Sequence, residues 1–131
     1  LADLALLFTL PRIAGGPMAI HAAAFVALCP LSIFETAFNA HPDALGVALL
    51  AGALLARTAG RGIWPGALCG AAVAAKVFAV LLVPFLLWRG SRPAWLAGAL
   101  TVLALYLPFW LQGTTADLAG LRAFARDWEF N

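Results

Sequence analysis

The chain has 131 residues, 64% of them hydrophobic and only 11% charged, with a formal net charge of +2. Soluble domains carry about 45–50% apolar and about 25% charged residues, so these values and a mean hydropathy of +0.96 exclude a water-soluble fold. The thin scatter of cations makes no dense Lys/Arg stripe of the kind that phosphate neutralisation requires, which excludes a nucleic-acid partner.

The expected class is therefore all-α: a polytopic transmembrane helical protein. Asp, Glu, Lys and Arg are absent from residues 13–34, 44–56, 62–75, 77–88 and 93–116. A spanning helix needs about 20 residues at about 1.5 Å each. The first and last of these runs are long enough to cross alone, and the other three are short. In chain order the pattern predicts a helix tail over 1–10, a break over 11–16, and a first complete span over 17–34 with Pro17 at an early helical position. A polar patch follows over 35–43, then a helix over 43–56 and a short basic loop over 57–62. The chain opens without Met, inside what reads as the end of an apolar helix. Residues 1–131 are accordingly expected to be part of one transmembrane domain of a longer protein.

Arg57 and Arg61 place their loop on the cytoplasmic side, and Arg89 with Arg92 make the same claim for the next one. A single crossing over 62–88 would be a helix of roughly 40 Å and would set the two basic loops on opposite faces. Two half-length helices remove the conflict. They are predicted over 63–75 and 79–88, meeting near Lys76 as a re-entrant or broken pair, an arrangement that survives in a bilayer only when buried in protein or lining a cavity. A last span over 94–111 then returns the chain to the outer side. Residues 117–128 place Leu118, Leu121, Phe124, Ala125 and Trp128 at helical spacing and predict an interfacial helix. Glu35 to Asp43 and the C-terminal segment thus face away from the cytoplasm.

The residues that stand out chemically are ionisable groups among apolar helices, which are costly there and point to function. Glu35, Asn39, His41 and Asp43 crowd one short patch. A plainer account lets Pro42 and Asp43 open a helix, the carboxylate complementing the helix dipole, but it leaves Glu35 and His41 without a role. Lys76 stands alone in an apolar run. It suits a lipid phosphate as a point-charge partner, or else an ion pair with Glu35 or Asp43. Gly66, Gly70 and Ala74, four apart, favour close helix approach. His21 reads as a polar residue facing another helix. Tyr106, Phe109 and Trp110 form an interfacial belt near the outer end of the last span. Trp128, Glu129 and Asn131 combine rings with polar groups, fitting a sugar cradle or an interfacial anchor. Cys29 and Cys69 lack Cys-x-x-Cys spacing and read as small core residues.

Cys29-Pro30-Leu31, Glu35 and His41-Pro42-Asp43-Ala44-Leu45 resemble the "NPL…E…GHxDAL" segment of bacterial members of the GT-C superfamily. These are integral membrane glycosyltransferases that take a sugar from a polyprenyl-phosphate carrier. Gly70 to Lys76, with Pro84, is similar to their "GLAVLVKxxPxxxxP" hairpin, and Asp127 to Asn131 resembles a segment near the next outer loop. The likeness covers residues 30–131. It departs at Cys29, where Asn is common, at Ala40, where Gly is common, and in lacking an aromatic-Pro directly after Lys76. In this superfamily the main catalytic carboxylate lies in an acidic first outer loop, which would precede Leu1.

The resemblance implies transfer of a mannose-like hexose or a pentose from polyprenyl phosphate to a glycan, lipid or protein acceptor. The setting would be the outer face of the cytoplasmic membrane, with membrane lipids around the chain. Such chemistry needs a base, a cation for the departing phosphate and hydrogen bonds to the sugar. Candidate catalytic residues are His41 and Asp43, with Glu35 orienting His41. Candidate substrate-binding residues are Lys76, Asn39, Arg122, Arg126, Trp128, Glu129 and Asn131. No residue is assigned to a metal, although a divalent metal is left open, and the lipid-linked sugar is the donor substrate. Rival readings are a secondary transporter, because broken helices around a cation also build carrier sites, and a structural membrane subunit.

Overall fold

The computed structural model describes residues 2–34, 43–111 and 126, and every regular element among them is helical. The elements are α1 (Ala2–Ala14), α2 (Met18–Leu28), α3 (Pro30–Ile33), α4 (Asp43–Thr58), α5 (Trp64–Ala75), a 3₁₀ turn (Val77–Leu81), α6 (Val83–Leu86) and α7 (Arg92–Leu111).

Apart from shifts of one or two residues at helix ends, three segments differ from the expectation, each through a proline or glycine. The first helix runs through Pro11 to Ala14 rather than ending at Leu10. Its stop is Gly15 and Gly16, whose φ angles of 66° and 49° lie in the left-handed region that glycine enters without a Cβ clash. The span expected over 17–34 is split at Cys29, which is extended at φ −70°, ψ 110°. Pro30 follows at the start of α3, and a proline ring pushes the preceding residue out of the helical region. The second half-helix, expected over 79–88, is instead the 3₁₀ turn and a single α-turn. Pro84 has no N–H to extend a hydrogen-bonded ladder backwards. One helix among the described residues, Arg92–Leu111, is long and apolar enough to cross a membrane.

Small residues let the helices touch. A Cβ added to Gly66 would overlap the Ala94 carbonyl, and one on Gly70 would overlap the Gly98 carbonyl. The two contacts keep one sequence offset, so α5 and α7 run parallel, backbone on backbone, as four-residue spacing of small residues permits in lipid. Gly46 meets Lys76 and Gly52 meets Leu68, so α4 lies antiparallel to α5. Cys69 is buried with Ala53, Leu87 and Ala94, whereas Cys29 is half-buried; both are free thiols. Leu6, Val26, Ala48 and Ala51 join α1 and α2 to α4.

Arg57 ties the remaining pieces together. Its guanidinium donates to the carbonyls of Phe85 (3.0 Å), Leu86 (2.5 Å) and Trp88 (2.8 Å). These carbonyls lie at the end of α6, where the last helical C=O groups lack intrahelical partners; Phe85 O also accepts from the Trp88 N–H at 3.4 Å. The end of α4, the starts of α5 and α7 and the end of α6 therefore meet at one end of the bundle, with Arg57, Arg61 and Arg89 around them. Asp43, Lys76 and the far part of α7 lie at the other end.

Candidate functional site

Two of the residues singled out in the sequence come together at that second end. Asp43 opens α4, where a carboxylate complements the helix dipole. Lys76 follows α5 in an extended conformation, φ −150° and ψ 120°. Its N–H still donates to Ala72 O at 2.9 Å, and its own carbonyl accepts from the Ala79 N–H at 3.0 Å. The break is thus satisfied by hydrogen bonds on both sides. A Cβ on Gly46 would sit 3.5 Å from Lys76 Cβ, so the bare glycine face lets the lysine stem lie along α4. One turn further on, Lys76 Nζ reaches Asp43 Oδ1 at 2.5 Å.

Of the two partners open to Lys76, a phosphate or a carboxylate of this chain, the structure shows the carboxylate. Asp43 Oδ1 is fully covered, yet the Lys76 and Asp43 side chains remain 33% and 47% exposed. The pair is therefore within reach of an incoming group, and two of the three ammonium donors are not needed for the carboxylate. A groove of about 490 Å³ lies at the same end of the bundle, with Leu45, Leu49, Ala74, Ala75, Tyr106 and Phe109 among its walls; Lys76 follows Ala75 directly, but neither Lys76 nor Asp43 lines it. Tyr106 and Phe109, expected only as an interfacial belt, thus also form a wall of this groove. Sequence reasoning missed the groove; the clue was Leu45 and Leu49, four apart on α4 directly after Asp43.

Glu35, Asn39, His41, Arg122, Trp128, Glu129 and Asn131 lie outside the described residues, and the interfacial helix expected over 117–128 is described only at Arg126, which is helical and exposed. His21 Nδ1 lies 3.0 Å from the Pro17 carbonyl within its own helix and is exposed, so its polar group serves the start of α2. Among the described residues no three His, Cys, Asp or Glu side chains converge as a metal site would need.

Outward apolar surfaces, a charge pair and an apolar groove at the same end define an all-helical protein with one helix, among the described residues, long and apolar enough to cross a membrane. Residues 1–92 match the family described as alpha-(1->6)-mannopyranosyltransferase, N-terminal domain. No curated protein and no solved structure gives a match. The match covers well over half of the chain, which belongs to this family and so to the glycosyltransferases. A mannosyltransferase acts on a sugar donor and a glycan acceptor. The transporter and structural-subunit readings give way to an enzyme.

Proposed function

We propose that this chain is a membrane-embedded portion of an enzyme that moves a mannosyl group from a polyprenyl-phosphate carrier to an acceptor at the outer face of the cytoplasmic membrane. The observation that carries the reading is the Asp43–Lys76 pair at the same end of the bundle as an apolar groove, in a chain of the mannosyltransferase family. An isoprenoid chain needs an apolar channel, and its phosphate needs a cation at the channel's end. The four arginines 57, 61, 89 and 92 all lie in the segments at the opposite end, which the positive-inside tendency assigns to the cytoplasm. On α7 only Ala94 and Gly98 are buried, an outward apolar surface that suits lipid. The break at Lys76 then forms the tip of a re-entrant pair, and the Arg57 contacts to the returning segment at the end of α6 support that topology.

The reaction sets the roles. The acceptor hydroxyl loses its proton to a base as its oxygen bonds to the sugar C1. The C1–O bond to phosphate breaks, and the electron pair leaves with the polyprenyl phosphate. Lys76 meets the negative charge gathering on that phosphate. Asp43 holds the ammonium in place beforehand and, with His41, contacts the sugar or relays the proton, while Glu35 orients His41. Asn39, Arg122, Arg126, Trp128, Glu129 and Asn131 complete the binding of sugar and acceptor.

A lipid-linked mannosyl donor assay on the intact protein tests the assignment. Lys76→Ala and Asp43→Ala are each expected to lower turnover by about tenfold or more, the loss of one charge-assisted contact. Unchanged turnover in both variants would reject it.

A further inference from the structure

At the arginine end the structure holds a second cavity, of about 200 Å³, between the loop that joins α4 to α5 and the turn that leads into α7. Arg57, Arg61 and Arg89 line it, together with Ser91. Arg57 is engaged by three backbone carbonyls and forms a fixed wall. Arg61 and Arg89 are exposed, and no carboxylate pairs with either among the described residues. The sequence explains why: residues 44–116 contain Arg57, Arg61, Lys76, Arg89 and Arg92 and not one Asp or Glu. Three arginines around one small cavity concentrate positive charge, and this segment supplies no carboxylate to offset it.

The surrounding backbone adds to the positive field. Pro65 in the first turn of α5 and Ala94 in the first turn of α7 both border the cavity. The two helices are parallel, so the positive ends of both dipoles face it. Arg89 adopts φ 59°, a left-handed conformation uncommon for a residue with a side chain.

We propose that this cavity is a binding site for a phosphate mono- or diester, held by Arg61 and Arg89 against the wall formed by Arg57. Planar guanidinium groups bind phosphate oxygens through paired hydrogen bonds, and anions settle at helix N-termini. The ligand is either the headgroup of an anionic phospholipid or a soluble phosphate. The site lies at the opposite end of the bundle from Asp43 and Lys76 and does not depend on the donor assigned there.

The test uses the full chain in nanodiscs of phosphatidylcholine alone or with phosphatidylglycerol, read by native mass spectrometry for retained lipid and by thermal unfolding with and without inorganic phosphate. The variants are Arg61→Gln, Arg89→Gln and Arg89→Gly, the last relaxing the backbone as it removes the cation. Arg12→Gln is the control, since Arg12 bonds to Phe8 O in its own helix and does not line the cavity. Retention of phosphatidylglycerol, weakened about tenfold in each cavity variant and unchanged in the control, identifies a lipid headgroup. Stabilisation by inorganic phosphate with the same pattern of loss, but without lipid retention, identifies a soluble phosphate. Neither response, or an equal loss in Arg12→Gln, overturns the site. Unfolding temperatures measured without ligand separate a binding defect from a folding defect.

Discussion

The contact between α5 and α7 makes a strong demand on one atom. Replacing Gly70 by alanine adds a Cβ that would overlap the Gly98 carbonyl oxygen and lie 2.9 Å from Thr101 Cβ and 3.0 Å from the Gly98 carbonyl carbon. Carbon contacts settle near 3.5–4.0 Å, so the helices must part by on the order of 1 Å. The neighbours are mostly backbone and cannot rotate away. Overpacking of this kind costs about 1–3 kcal/mol, which outweighs the roughly 0.5–1 kcal/mol that alanine gains over glycine inside a helix. Gly52→Ala is the matched control: its Cβ would meet Leu68 Cδ1 at 3.6 Å, an ordinary contact, so only the helical gain remains. Thermal unfolding of the two variants in one detergent should move in opposite directions, Gly70→Ala down and Gly52→Ala level or up. Equal or greater stability of Gly70→Ala would refute the backbone contact.

Three further outcomes are expected. Arg57→Gln should destabilise the chain by about 1–3 kcal/mol in the same unfolding assay, through loss of charged hydrogen bonds to three carbonyls. Arg57→Lys should recover only part of this, because an ammonium lacks the planar fork that spans them. Cysteines introduced by Ala59→Cys and Ser91→Cys, with Cys29 replaced by Ser, should react with an impermeant maleimide from the same membrane face; labelling from opposite faces would end the re-entrant reading. Ala74→Phe should fill the groove beside Lys76 and raise KM for a long polyprenyl donor more than for a short-chain analogue, and equal effects on both would detach the groove from the lipid.

Much of this was legible along the chain because it is local. The uncharged runs require helices, and the four-residue spacing of Gly66 and Gly70 announces a close crossing before any partner is known. The break at Lys76 was likewise expected from the conflict between two basic loops. What resisted was the effect of single residues on backbone direction. Pro11 is carried inside α1 while Gly15 and Gly16 end it, and Pro30 divides a run whose composition looks continuous.

By itself, then, the sequence determined an apolar helical chain with its cations gathered at a few points and a motif pattern that resembles a sugar transferase. Those properties follow from side-chain hydropathy and helical period, which act over neighbouring residues. Only the tertiary structure decided that Lys76 meets Asp43, that Arg57 closes the end of α6 and that Gly66 and Gly70 press on α7. Each of these joins residues far apart in the chain, and helix packing, not local preference, selects which of several available partners comes within reach.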